Sequence, residues 1–403
     1  MILINGEMNI KNPLKSKIFI FLLIFLLIYS PLTIVLSKLY LDNEYSEHKR
    51  DFVNKGVISK KFKLANAPKK PTTDPKELTQ SAWVPEWGNQ RGFDSVVRNK
   101  DKFNDINPVM YNVNNDGTLK NIRKEGSERL LQFLRGNGTL IIPSIQIFDA
   151  DILKSVLNNE DYYDNHISAI LNEIDKNKFD GIDIDYESTY LDDKALFFSF
   201  LTDLSAEMKS RNKHLVVTLL PKWGDNINYT AFPQTRKVQD YERIGKIVDE
   251  VRIMLYDYTY QASKYPGAIA PREWVEDVAA YTATKIDPHK VVLAGRLYAY
   301  DWIYDEKTFL PVRPLEDLVS SDVRAKAYTY EDVVAIKNKY PEGKDEYNEK
   351  IGENIFKYND GTNNRVIFYP DTRSINLLKE ITKQNGFKGV AYWRLGGDKG
   401  INF

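Results

Sequence analysis

From about residue 80 onward, short apolar runs alternate with longer amphipathic stretches. The runs at 82–85, 108–112, 140–147, 181–187, 215–220, 251–256, 291–297 and 389–393 are too short for helices and predict strands. Between them, 164–176 puts Ile167, Ile170, Leu171 and Ile174 on one helical face, and 195–211 carries Phe197, Phe198, Phe200, Leu201, Leu204 and Met208. The stretch 127–135 offers Leu130, Leu131, Phe133 and Leu134 to a core. Strand–helix alternation with crossover-length connections predicts an α/β protein with a parallel sheet. Eight such strands favour a closed (β/α)₈ TIM barrel over an open doubly wound sheet.

One gap breaks the rhythm. The last two strands are separated by far more chain than the others, and 303–370 within that gap has its own pattern. Its Pro, Gly and Tyr-rich pieces 328–339, Pro341-Glu342-Gly343 and Asn359-Asp360-Gly361, the last a turn signal followed by a strand at 365–368, predict a small α+β insertion between strands 7 and 8. A further helix at 374–383 leads back to the barrel, so 79–403 is expected to be one domain.

The N-terminal pattern differs. Residues 18–37 are apolar and uncharged, long enough to cross a bilayer core. Lys11, Lys15 and Lys17 precede the stretch, and Asp42, Glu44 and Glu47 follow it. The positive-inside rule keeps 1–17 in the cytoplasm and exports the rest. Ser37-Lys38-Leu39-Tyr40 offers no small-residue cleavage site, which favours a transmembrane signal anchor over a cleaved signal peptide and a secreted product. Residues 38–78, polar and rich in Lys, Asn and Pro, read as a flexible linker. A single-pass membrane protein with an extracytoplasmic domain is expected.

Composition narrows the chemistry. With 56 Lys+Arg against 56 Asp+Glu, nucleic acid is not an expected partner. The chain has no Cys, which excludes disulfides, iron–sulfur clusters and a thiol nucleophile, and its 4 His show no metal-ligand spacing. No cofactor or metal is expected, and the state expected is a monomer. Carboxylates remain.

They concentrate in Phe179-Asp180-Gly181-Ile182-Asp183-Ile184-Asp185-Tyr186-Glu187. Alternate strand residues share a face, so Asp183, Asp185 and Glu187 point one way at roughly 7 Å intervals, and Ile182, Ile184 and Tyr186 point toward the packing helices. In a parallel barrel the acidic face is the interior, where a purely structural strand would carry Val, Ile or Leu. An EF-hand register fails, because Ser188 falls where Gly is needed and Lys194 where the bidentate Glu belongs. The acidic strand therefore marks a site.

The run Asp180-Gly181-Ile182-Asp183-Ile184-Asp185-Tyr186-Glu187 resembles the DxxDxDxE signature of glycoside hydrolase family 18, the chitinase-like barrels. Met254-Leu255-Tyr256-Asp257 is similar to that family's sixth-strand motif, and Ala391-Tyr392-Trp393 to its eighth-strand tryptophan. Asn107-Pro108-Val109-Met110-Tyr111, Asp371-Thr372-Arg373-Ser374 and Tyr392-Trp393-Arg394-Leu395-Gly396 look most like the bacterial spore-germination, cortex-lytic branch. One departure stands out: the family's third strand ends in Ser-x-Gly-Gly, and Ser144-Ile145-Gln146-Ile147 keeps only the Ser.

The resemblance implies a retaining glycosidase acting on β-1,4-linked N-acetylglucosamine polymers, peptidoglycan or chitin, in which the substrate's 2-acetamido group is the nucleophile. It implies Glu187 as acid and then base, Asp185 as holder of the acetamido N–H, and Asp183 as its proton-sharing neighbour. Tyr256 would bind the acetamido carbonyl, Asp257 the sugar or Glu187, and Trp393 would floor the subsite. Asp180, Gln146 and Arg394 complete the expected substrate-binding set, with Trp83, Trp87, Trp223 and Trp302 as candidates for outer subsites. The alternative from another class is a non-catalytic glycan-binding protein on the same barrel. A metal-dependent deacetylase lacks a His/Asp cluster.

Overall fold

The computed structural model describes residues 77–313 and 324–403. The anchor expected at 18–37 and nearly all of the linker expected at 38–78 lie outside the described residues. Among those described, no helix is long and apolar enough to cross a membrane.

Eight parallel strands close into a barrel in chain order: β1 (Thr79–Val84), β2 (Asp105–Val113), β3 (Ser144–Ile147), β4 (Gly181–Tyr186), β5 (His214–Leu219), β6 (Glu250–Met254), β7 (Val291–Arg296) and β8 (Gly389–Trp393). Pairing of β1 with both β2 and β8 removes any open edge. The helices Asn89–Arg98, Ser127–Asn137, Glu160–Asn177, Lys194–Ser210, Arg272–Ala283 and Thr372–Gln384 are crossovers. The run read as one strand at 140–147 is broken: Leu140–Ile141 pairs with β2 separately from β3. Pro143 lies between them and has no N–H to give to a ladder.

The apolar core lies between strands and helices. Ile182, Ile184 and Tyr186 of β4 face outward into it, with Tyr186 stacked on Phe200 at 6.0 Å. The barrel interior is different. Register aligns Ser81 with Asp105, Ser144 with Asp183, Gln146 with Asp185, and Thr218 with Arg252, so polar residues fill it layer by layer. A small apolar cluster of Trp83, Val109, Val292, Ala294 and Ala391 interrupts them. At the floor of β4 a Cβ on Gly181 would stand 2.3 Å from the His214 carbonyl oxygen, so glycine is required there.

The insertion starts earlier than expected. Its first strand, Tyr298–Ile303, follows β7 directly and belongs to a five-stranded antiparallel sheet with Lys326–Thr329, Lys344–Asn348, Glu353–Asn359 and Asn364–Tyr369. The helix Tyr330–Lys339 packs beside it behind a capping box of Thr329 and Asp332. Glu353 ties the insertion to the barrel: it pairs with Arg296 at 2.6 Å and accepts from the backbone N–H groups of Ile269 and Ala270.

Candidate active site

β4 places its carboxylates in a column rising to the C-terminal mouth of the barrel. Asp183 is fully buried. Its Oδ2 accepts from Ser144 Oγ at 2.6 Å and from Trp83 Nε1 at 3.0 Å, and its Oδ1 accepts from Thr218 Oγ1 at 2.8 Å. Asp185, one layer higher, accepts at Oδ2 from Gln146 Nε2 at 3.1 Å, and its buried Oδ1 has no hydrogen-bond partner among the described residues. Glu187 follows at the strand end, half-buried.

Burial pushes all three carboxyls up. For Asp185 the charges of Glu187 and Asp183 add to the effect, and Gln146 alone opposes it. For Asp183 the Arg252 charge and three hydrogen-bond donors oppose burial. An indole N–H can only donate, so Trp83 favours the ionised form of Asp183. Donors on both oxygens favour the ionised form of Asp183, whereas burial and two neighbouring carboxylates act on Asp185 against a single donor, so the protonated form is favoured more strongly at Asp185 than at Asp183. Glu187 is pushed up to about 7, by burial first and then by Asp257, with Arg236 opposing.

Beneath the column lies a buried ion network. Arg252 is fully buried and donates through Nε to Glu250 at 2.7 Å and through Nη2 to Asp105 at 2.8 Å, while Nη1 donates to Asn107. Lys388 completes the neutralisation of Glu250 at 2.6 Å. The guanidinium also lies 5.2 Å from the Trp83 ring that donates to Asp183. This network was not anticipated from the sequence. Its signal is the spacing Asp105-x-Asn107 and Glu250-x-Arg252, which puts polar residues on the inward face of β2 and β6. Thr218, the lone hydroxyl of β5, was missed in the same way.

The walls come from the C-terminal ends of β1, β6 and β8 and from the segments that follow them. Tyr256 is half-buried beside the acids, and burial with four nearby carboxylates holds its phenol protonated. Its hydroxyl has no hydrogen-bond partner among the described residues. Asp257 adopts the left-handed region at φ 60 and opens to the cleft, where its Oδ1 accepts from Tyr298 and, at 3.2 Å, from Tyr300. The first strand of the insertion thus orients a residue of the barrel site. Trp393 at the end of β8 stands edge-on to Trp83 at 6.1 Å and to the exposed Trp87 at 6.2 Å.

Asp180 does not join these residues. It precedes β4 at the opposite end of the barrel, roughly 23 Å of extended chain from Glu187, and its Oδ2 accepts from the Ile141 N–H at 2.8 Å. Its expected substrate-binding role is corrected to that of a backbone anchor. Gln146 does join: where the family pattern has Gly, its amide occupies Asp185. Arg394 stands outside the carboxylate column, 5.7 Å from the Trp87 ring. Of the outer tryptophans, Trp302 is buried in the insertion core, and Trp223 packs on Tyr229 and Trp274. An open groove of about 710 Å³ adjoins the column at Gln146 and is lined by Asn112, Lys120, Phe148 and Asp149 among others. Among the described residues no cluster of His, Cys, Asp or Glu could hold a metal ion.

Asp185, raised by burial and by its neighbours' charge, beside a carboxyl raised to about 7 and the rings of Tyr256 and Trp393, suits acid–base chemistry on a neutral polar substrate. The family model of glycosyl hydrolases family 18 matches residues 148–398, which carry the acidic strand, Tyr256 and Trp393. The chain belongs to this family. It is a glycoside hydrolase.

Among its relatives, an uncharacterized glycosylase, YvbX, of Bacillus subtilis (strain 168) is 24% identical over 257 residues, covering 63% of this chain and 68% of that one. A cortical fragment-lytic enzyme of Bacillus anthracis is 28% identical over 304 residues, covering 72% and 66%. The chain thus spans about two thirds of the length of these relatives. The crystal structure of the Bacillus megaterium QM B1551 spore cortex-lytic enzyme SleL superposes with a TM-score of 0.68 at 22% identity, covering 83% of this chain and 73% of that one. That likeness concerns the fold.

Proposed function

We propose that this family 18 hydrolase cleaves β-1,4 bonds of N-acetylglucosamine-containing polymers, peptidoglycan above chitin, with retention and with the substrate's own acetamido oxygen as nucleophile. One observation carries the reading. The site offers an unpartnered carboxyl oxygen on Asp185 and an unpartnered phenol on Tyr256, an acceptor and a donor, beside the half-buried Glu187. An acetamido group presents the complementary pair, one N–H and one carbonyl.

In this scheme Tyr256 donates to the acetamido carbonyl and Asp185 accepts its N–H, turning the carbonyl oxygen toward the anomeric carbon. That oxygen bonds to the anomeric carbon as the glycosidic C–O bond breaks, and Glu187 gives its proton to the leaving oxygen. Water then adds to the anomeric carbon, returns a proton to Glu187 and reopens the oxazolinium ring. Asp185 and Asp183 redistribute their shared proton as positive charge develops. Trp393 stacks against the sugar, and Asp257, held by the insertion's tyrosines, faces Glu187. No second carboxylate nucleophile is needed.

Peptidoglycan is favoured because cortical fragment-lytic enzymes stand among the relatives. The uncharged stretch 18–37 supports tethering of the barrel outside a membrane. Incubation of the full-length protein with peptidoglycan and with chitin, followed by mass spectrometry, tests the reading. New reducing ends at N-acetylated sugars are expected; binding without any product would favour the lectin alternative.

The pH dependence follows from Glu187. The acid must be protonated to act, and its carboxyl titrates at about 7. Below that value it is competent, and above it kcat/KM falls about tenfold per pH unit. Asp257 helps raise Glu187, so Asp257→Asn moves this alkaline limb to lower pH. A limb that stays in place in the variant would remove Asp257 from the account.

A further inference from the structure

Arg394 is a half-buried guanidinium with no hydrogen-bond or ion-pair partner among the described residues. Withdrawing an unpaired cation from water is unfavourable, and such groups are ordinarily matched by an anion. The charged groups facing it are Arg91, which repels it, and Asp332. Asp332 is largely committed elsewhere: its Oδ2 accepts from Thr329 N and Thr329 Oγ1 as a helix cap, and its Oδ1 stands 3.9 Å from Arg91. Two arginines therefore share one partly occupied carboxylate, leaving room for a second anion.

The place is specific. Arg394 follows directly on Trp393, the aromatic floor of the site. Its guanidinium lies over Trp87, and Trp87 in turn meets Trp393 edge-on. Trp87 is 59% exposed on the loop after β1, at the same mouth of the barrel as the acids. An aromatic face and a planar cation side by side suit a sugar ring that carries a carboxylate. Chitin has none. Peptidoglycan has one on every second sugar: the lactyl carboxylate where the peptide is absent, or a carboxylate of the peptide amide-linked to it.

We propose that Arg394, with Arg91 and Trp87, forms a subsite for the carboxylate-bearing substituent of a muramyl residue and sets the preference of the enzyme for peptidoglycan over chitin. The inference rests on the N-acetylated glycan reading of the acid column and goes beyond it in naming what discriminates between substrates. The insertion shares in this subsite, because Asp332, in the first turn of its helix Tyr330–Lys339, stands 3.9 Å from Arg91.

Steady-state kinetics on the full-length protein test the proposal with three substrates: chito-oligosaccharides, glycan strands stripped of peptide with free lactyl carboxylates, and the same strands methyl-esterified. Arg394→Gln is expected to reduce the KM discrimination between free-acid and esterified strands by about tenfold, the size of one charge-assisted contact. Arg394→Lys should restore part of it, which a packing role would not predict. Peptide-bearing strands separate the two sources of the anion: stronger discrimination there assigns it to the peptide, and weaker to the lactyl group. Unchanged discrimination in Arg394→Gln, or an equal KM rise on every substrate, overturns the proposal. Calorimetric binding of the same glycans to Glu187→Gln reads the contact without turnover. If wild type cleaves nothing but binding still depends on Arg394, the reaction reading fails and the subsite stands.

Discussion

Glu187→Gln lowers kcat on N-acetylglucosamine polymers by about a thousandfold, with KM changed only a few-fold, the size expected for loss of a general acid. The amide keeps the shape of the side chain and can still donate a hydrogen bond, but it cannot transfer a proton to the leaving oxygen. Glu187 is the carboxyl that burial pushes up to about 7, which keeps a useful fraction protonated at neutral pH. It is also the member of the column nearest the mouth, where a glycosidic oxygen can reach it. The nucleophile in this account belongs to the substrate, so glycan binding survives the change. Single-turnover rates on a defined oligosaccharide measure the effect. A decrease of less than tenfold would take the proton-donor role away from Glu187.

Arg252→Met destabilises the fold by about 3–5 kcal/mol, the range for breaking a buried ion network from one side. The arginine is fully buried and neutralises Asp105 and Glu250 at once, and both carboxylates stay buried when it is gone. Lys388 can still serve Glu250, but Asp105 keeps only the Ser81 hydroxyl. Arg252→Lys restores the charge without the planar fork that reaches Glu250, Asp105 and Asn107 together, so it should fall between wild type and Met. Denaturant unfolding reads the difference, and a loss under about 1 kcal/mol would show that water or rearrangement satisfies the barrel floor.

Much of the fold was legible because the strand and helix periods alternate cleanly, and all eight barrel strands lie where short apolar runs predict them. The boundaries that slipped have local causes. Pro143 splits the third run, and the seventh run continues without a break into the insertion at Tyr298, so the insertion starts earlier than its turn signals suggest. The acidic column was legible because three inward carboxylates on one strand have no structural rationale. Its supports were not. Thr218 reaches Asp183 through the register of β5 on β4, and Trp83 and Arg252 only once barrel closure brings β1 and β6 across the interior; the polar alternation marks Arg252 as inward but not as a neighbour of Asp183. Asp180 misled for the opposite reason: it lies within the motif but on the floor side of the strand. Gln146 shows how a departure from the family pattern is absorbed, since its amide fills the space over Asp185 that a glycine would leave open.

The central claim is that a substrate acetamido group, held by Asp185 and Tyr256, does the work of a second carboxylate. Proton NMR of the first product formed from a β-1,4-linked N-acetylglucosamine oligomer tests it most directly. The account predicts that the new reducing end appears first as the β-anomer and only later mutarotates. Initial release of the α-anomer would mean direct attack by water and would contradict it.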